Sequence, residues 1–247
     1  PRPIILHEPV LLGNGGGIHN LARNLGTEKK GGLLVLNADQ FLVISESSWR
    51  QAISALPNNH AVLFTINVKP NNGYNRVVVQ QKMLVDIIKT PNTSESYPTY
   101  SGVGLINLDK LQAVDGVTGF FETVADYRRH RVLCLPLDDY DYWDFGTSER
   151  YVESTIGLLE KYQQTNNDSF VQFARQEKVI DENKIAHDGK SYGPESGNVV
   201  INFSQHTHQN IHQIPAVILD ADRSLEINRS GIYYQQLFND CSILPGH

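Results

Sequence analysis

Residues Gly31–Gln40, G-G-L-L-V-L-N-A-D-Q, constrain the rest of the chain most. Leu33–Leu36 is an unbroken apolar run without alternation, the pattern of a strand covered on both faces in an α/β protein. The run stops at Asn37-Ala38-Asp39, which places a carboxylate just past the end of a strand. In open α/β sheets ligands bind outside the carboxyl ends of strands, and an Asp there can hold a divalent cation without being buried itself. The competing reading is that Asp39 caps the turn or helix that follows.

The segments on either side alternate in kind. Gly15-Gly16-Gly17 suit a tight turn and a close backbone approach to a flat ligand, and Ile18, Leu21, Ala22 and Leu25 then follow helical spacing up to Gly26. A glycine turn opening a helix can present N–H groups to a nucleotide. Glu46–Leu56 reads as a short helix, Ala61–Val68 as a buried strand, and Arg76–Val79 with Met83–Ile88 as a hairpin. Thr99–Leu108 is a strand in which Gly102 permits close approach. Gly119–His130 has a helical pattern, Arg131–Leu137 that of a strand, and Ser148 to about Tyr162 that of a helix. Strands and helices in alternation over residues 1–162 call for an α/β sandwich around a mostly parallel sheet. From Gln163 the texture becomes polar with short strand-like pieces at Asn198–Phe203, Ala216–Leu219 and Ser230–Tyr234. A domain boundary is therefore expected near 163–170.

Composition narrows the function classes. In 247 residues the net charge is −6, and Lys and Arg are spread along the chain, so no basic block points to nucleic acid or to a membrane surface. No apolar run approaches the roughly 20 residues that span a bilayer, and no signal peptide is visible. Cys134 and Cys241, two and far apart, form neither a disulfide framework nor a zinc knuckle, and a reducing, cytoplasmic setting is expected. The chain enters Ile4-Ile5-Leu6 directly after Pro1-Arg2-Pro3, as though partway into a domain.

Asp144 supplies the second carboxylate. It sits in D-D-Y-D-Y-W-D-F-G-T, Asp138–Thr147, between an expected strand and the helix after it. Asp39 and Asp144 at strand ends can converge on one hard cation, and Mg²⁺ favours one or two carboxylates with water and phosphates completing its shell. Trp143 and Phe145 can wall such a site, while Asp138 and Asp139 read as a solvated acidic loop. In the tail, His206 and His208 would share a face of a strand, with His212 beyond, but a polar loop is the simpler account.

L-L-G-N-G-G-G-I, L-V-L-N-A-D, T-Y-S-G-V-G and Y-W-D-F-G-T-S-E-R-Y occur here in the order found in the sugar-1-phosphate nucleotidyltransferases, which the chain resembles over roughly residues 4–162. That family includes mannose-1-phosphate guanylyltransferases, glucose-1-phosphate thymidylyltransferases and N-acetylmuramate-1-phosphate uridylyltransferases. The resemblance implies a three-layer Rossmann-like nucleotide-diphospho-sugar transferase sandwich over residues 1–162. Residues 163–247 would be a mainly β extension, β-helix-like and a route to homo-oligomers. It further implies that Gly15, Gly16 and Gly17 lie against the nucleobase and ribose, that Asp39 and Asp144 hold Mg²⁺ and carry catalysis, and that Gly102 borders the sugar, with Lys89 the candidate for its phosphate against the reading of a lone surface lysine. The implied reaction is attack of a sugar-1-phosphate oxygen on the α-phosphate of an NTP, releasing pyrophosphate.

The family's G-x-G-T-R loop and downstream Lys have no counterpart here, so the sandwich is expected to be N-terminally incomplete. Its Glu-Lys-Pro is replaced around Ile88-Lys89-Thr90-Pro91. Two other readings follow: a non-catalytic sugar-nucleotide-binding or regulatory subunit of the same fold, and a glycosyltransferase using strand-end Asp residues. The latter prefers D-x-D near the central strand, where N-A-D-Q lacks the first Asp.

Overall fold

In the computed structural model residues 6–26, 30–70, 73–147, 150–151, 153–155, 157–158, 161 and 168–176 are described, together with four strands of the tail. The chain divides into two compact units, Pro1–Ala38 with Leu42–Asp141, and Asp39–Phe41 with Tyr142–His247.

The first unit is built on a six-stranded sheet. Its strands are β1 (Gly32–Leu36), β3 (Ala61–Val68), β4 (Arg76–Gln80), β5 (Met83–Ile88), β6 (Tyr97–Asn107) and β7 (Val132–Pro136), in the order β1-β6-β3-β7-β5-β4. The fold class is α/β, as the alternation predicts, but the sheet is mixed and not mostly parallel. Only β3 and β7 run parallel, and every other pairing is antiparallel. The reason is local: β4 and β5 close a two-residue hairpin at Gln81 and Lys82, both at positive φ, and an antiparallel pair needs no crossover helix.

β3 is buried on both sides and divides the core. Ala61 and Leu63 join Ile106, Val132 and Cys134 in one cluster with Ala22 of helix α1 (Gly13–Asn24) and with Val124 and Ala125. Phe64, one residue out of phase, meets Trp49 of α2 (Glu46–Ala55) edge-on at 5.0 Å. Helices thus cover opposite faces of β3. α2 starts where Ser45 accepts a hydrogen bond from Ser48 N, the N-cap that Ser favours. The helix expected over 119–130 is cut to a π-helical turn, Phe120–Val124. Beyond it the Asp126 carboxylate accepts from Arg128 N, a side-chain turn that competes with helix propagation.

β1 departs from expectation. Among the described residues it is an edge strand paired only with β6, and Leu34 and Leu36 are exposed while Leu33 and Val35 pack on the core. An apolar run without alternation cannot distinguish a strand covered twice from one covered once; the sheet order decides.

The second unit contains α3 (Ser169–Gln176) and a four-stranded sheet of β9 (Val200–Asn202), β10 (Ala216–Leu219), β11 (Gly231–Gln235) and β12 (Cys241–Pro245). β9, β10 and β11 are parallel and in register, Ala216 lying opposite both Val200 and Gly231, and β12 returns antiparallel. Phe41, Trp143 and Phe170 form an aromatic cluster with centroids 5.2–5.7 Å apart. The remaining strands, β2 (Gln40–Ile44) and β8 (Tyr140–Asp144), pair as a two-stranded ribbon. No helix among the described residues is long and apolar enough to cross a membrane. His206, His208 and His212 lie outside the described residues, as do Ser148, Glu149 and Tyr162.

Candidate functional site

Asp39 ends the connection from β1 to β2, and Asp144 is the last residue of β8. The backbone locks the two segments together, since Phe145 N donates to Asp39 O at 2.8 Å. Both carboxylates turn toward Gly146. A Cβ built on Gly146 would lie 2.8 Å from Asp39 Oδ2 and 3.0 Å from Asp144 Oδ1. The two oxygens are therefore at most about 6 Å apart, where two oxygens on one Mg²⁺ stand up to about 4 Å apart. Glycine at 146 is what leaves room for them.

The two differ in setting. Asp39 is exposed, whereas Asp144 is buried, 4% exposed. Asp144 is correspondingly well partnered: Oδ1 accepts from Gly146 N at 2.8 Å and Oδ2 from Arg150 Nη1 at 3.1 Å. Ser154 Oγ clamps its backbone, accepting from Asp144 N and donating to Asp144 O at 2.7 Å. Arg150, half-buried on the following helical stretch, supplies the charge that a buried carboxylate needs. The sequence reading missed Arg150 and Ser154. The signal was available in their spacing, since residues six and ten past Asp144 fall on the helix opened by Gly146-Thr147.

The donor set suits a hard, oxygen-seeking ion in part. Two carboxylates match what Mg²⁺ takes from protein, but Arg150 already balances one of them. Among the described residues no cluster of three or more His, Cys, Asp or Glu forms. Trp143, expected to wall the site, turns into the aromatic cluster with Phe41 and Phe170, and Phe145 packs on Tyr151.

Gly15, Gly16 and Gly17 are not an exposed turn. They lie in the first turns of α1, and Gly15 and Gly16 are buried. Both N–H groups go to Thr118 O, at 2.9 and 3.4 Å. A Cβ on Gly15 would fall 2.5 Å from Gly119 O, and one on Gly16 2.5 Å from Gly116 O. The backbone these glycines approach closely is that of residues 116–119. Gly102 has φ +80° inside a bulge of β6, where pairing with β3 shifts between Leu63 and Thr65, and its carbonyl accepts from Asn37 N at 3.0 Å. That backbone requires glycine on conformational grounds alone. Lys89 is exposed just past β5. Gly15–Gly17, Lys89 and Gly102 belong to the first unit, Asp39 and Asp144 to the second.

No protein-family model matches the chain, and no curated protein matches it. Solved structures that align with this chain include HddC from Yersinia pseudotuberculosis complexed with GMP-PN, at 15% identity and a TM-score of 0.49 over 61% of this chain. A protein described as a glucose-1-phosphate thymidylyltransferase from Bacillus anthracis, in complex with a sucrose, aligns at 11% identity and a TM-score of 0.48 over 64% of this chain. The chain spans 64% of the length of each.

Proposed function

We propose that this chain carries the metal-holding part of a sugar-1-phosphate nucleotidyltransferase, forming an NDP-sugar and pyrophosphate from an NTP and a sugar-1-phosphate. The observation that supports it is the convergence of Asp39 and Asp144 on Gly146, from the two sequence segments that carry the resemblance. In this reading the two carboxylates hold Mg²⁺, which when bound neutralises phosphate charge and orients the attacked phosphorus. Asp144, held by Ser154 and Gly146 N, keeps a fixed geometry. Asp39, exposed, would hold the cation from the solvent side. Arg150, paired with Asp144, would stand beside the held cation in position to meet a phosphate oxygen.

The test is pyrophosphate release by the purified chain with an NTP panel, Mg²⁺ and a panel of hexose-1-phosphates, compared with Asp144→Asn. Turnover that disappears in Asp144→Asn supports the reading; turnover that survives it removes Asp144 from the chemistry.

A second reading, a non-catalytic sugar-nucleotide-binding or regulatory subunit of the same fold, is favoured by one observation. The N–H groups of Gly15 and Gly16 are used within the fold and are not offered to a nucleotide. Saturable NDP-sugar binding with no pyrophosphate release from any NTP would select it.

A further inference from the structure

His60 and Arg131 immediately precede the two parallel strands of the first unit, and His60 N donates to Arg131 O at 2.8 Å. Asn107, at the end of β6, donates from its own N to His60 O at 2.9 Å, so three strand ends meet here. Beside them opens a cavity of about 540 Å³, whose ionisable lining is His60, Asp109, Lys110, Arg129, His130 and Arg131. Three of those six are permanent cations. Each is held from the fold: Lys110 Nζ donates to Pro57 O at 2.7 Å, Arg129 Nε stands 3.6 Å from Asp126, and Arg131 leads directly into β7.

His60 is the unusual member. Its side chain is 4% exposed and stacks face to face on His130, with centroids 4.2 Å apart and planes 6° from parallel. One ring nitrogen donates to Val124 O, but Nε2 is buried and has no hydrogen-bond partner among the described residues. A buried polar atom without a partner is costly, and the residue that carries it is one of those lining the cavity.

We propose that this cavity binds a small phosphorylated molecule, its phosphate held by Lys110, Arg129 and Arg131 beside the stacked pair His60 and His130. Guanidinium forks and an ammonium group are the side chains that phosphate recognition uses. The volume exceeds what inorganic phosphate needs and falls in the range of small-ligand sites, which points to an organic phosphate. Asp109 at the opening is suited to a hydroxyl of the same molecule.

The site carries a proton linkage. Burial, then the charges of His130 and Lys110, push the His60 pKa down to about 4, with Asp126 opposing them. Asp109, Arg129 and Arg131 line the same cavity. A phosphate placed among these cations compensates them, so the His60 pKa rises on binding and the complex takes up a proton in the acid range below it.

The experiment uses the full chain in EDTA, which keeps any divalent-metal site out of the measurement. Glucose 6-phosphate, inorganic phosphate and glucose are titrated by calorimetry, and the His60 ring is followed by NMR. Expected are saturable binding of glucose 6-phosphate, no binding of glucose, and a His60 pKa raised by about one unit at saturation. The exposed-residue double variant Lys110→Gln/Arg131→Gln should weaken binding at least about tenfold with an unchanged melting temperature. Saturation by inorganic phosphate with equal or greater affinity would overturn the organic-phosphate assignment. No saturable heat from either phosphate up to about 10 mM, equal affinity in the double variant, or a His60 pKa that does not move would overturn the site.

Discussion

Asp39 Oδ2 and Asp144 Oδ1 meet at Gly146, lying 2.8 and 3.0 Å from the position its missing side chain would take. A glycine there is a spacing element for two carboxylates. Gly146→Ala should therefore push them apart and cost about 1–3 kcal/mol by overpacking. In thermal melts, millimolar Mg²⁺ should raise the melting temperature of the parent protein and leave that of Gly146→Ala unchanged. An equal Mg²⁺ response in both would separate the glycine from the cation.

Arg150 competes with any cation for Asp144. Arg150→Gln removes the charge partner of a buried carboxylate, and a loss of about 1–3 kcal/mol is expected in urea unfolding. The same variant should bind Mg²⁺ more tightly, because the Arg150 guanidinium no longer competes for Oδ2. Weaker Mg²⁺ binding in Arg150→Gln would show that the guanidinium supports the site and does not compete with it.

Gly15→Ala tests packing against ligand contact. Its Cβ would fall 2.5 Å from Gly119 O and 2.6 Å from Thr118 Oγ1, so α1 must shift away from residues 116–119. A stability loss of about 1–3 kcal/mol is expected, with nucleotide affinity unchanged in the folded fraction. A variant of full stability and lowered nucleotide affinity would return the glycines to a nucleotide site.

His60 makes stability depend on pH. Its pKa falls from an ordinary 6.5 when unfolded to about 4 when folded, so between these values the unfolded chain binds the extra proton. Stability is therefore full above about pH 6.5 and declines as pH falls toward 4, by at most about 3 kcal/mol. Carboxylates titrate in the same window, so the measurement is the difference in urea midpoint between the parent and His60→Gln across pH 4–7. The variant should lose the His60 part of the slope. Parallel curves would show that His60 is not held neutral.

The sequence by itself determined the elements and the pair of carboxylates. Ala61–Val68, the 76–88 hairpin, Glu46–Ala55 and Ala216–Leu219 were legible because hydrophobic period, caps and turn residues act over a few neighbours. Asp39 was legible as the carboxylate that closes the apolar run Leu33–Leu36, and Asp144 as the one that stands before Phe145-Gly146-Thr147. What only the tertiary structure decided is what depends on which segments meet. Sheet order made β1 an edge and left Leu34 and Leu36 exposed, although the same four apolar residues would serve a central strand. The chain at 116–119, remote in sequence, turned Gly15 and Gly16 from an expected turn into a helix packed on backbone. His60 became a buried member of the lining of a cationic cavity through contacts that have no local signature. Secondary structure is set by short-range sterics and hydrogen bonding, whereas burial, charge pairing and cavity shape arise only when distant segments pack.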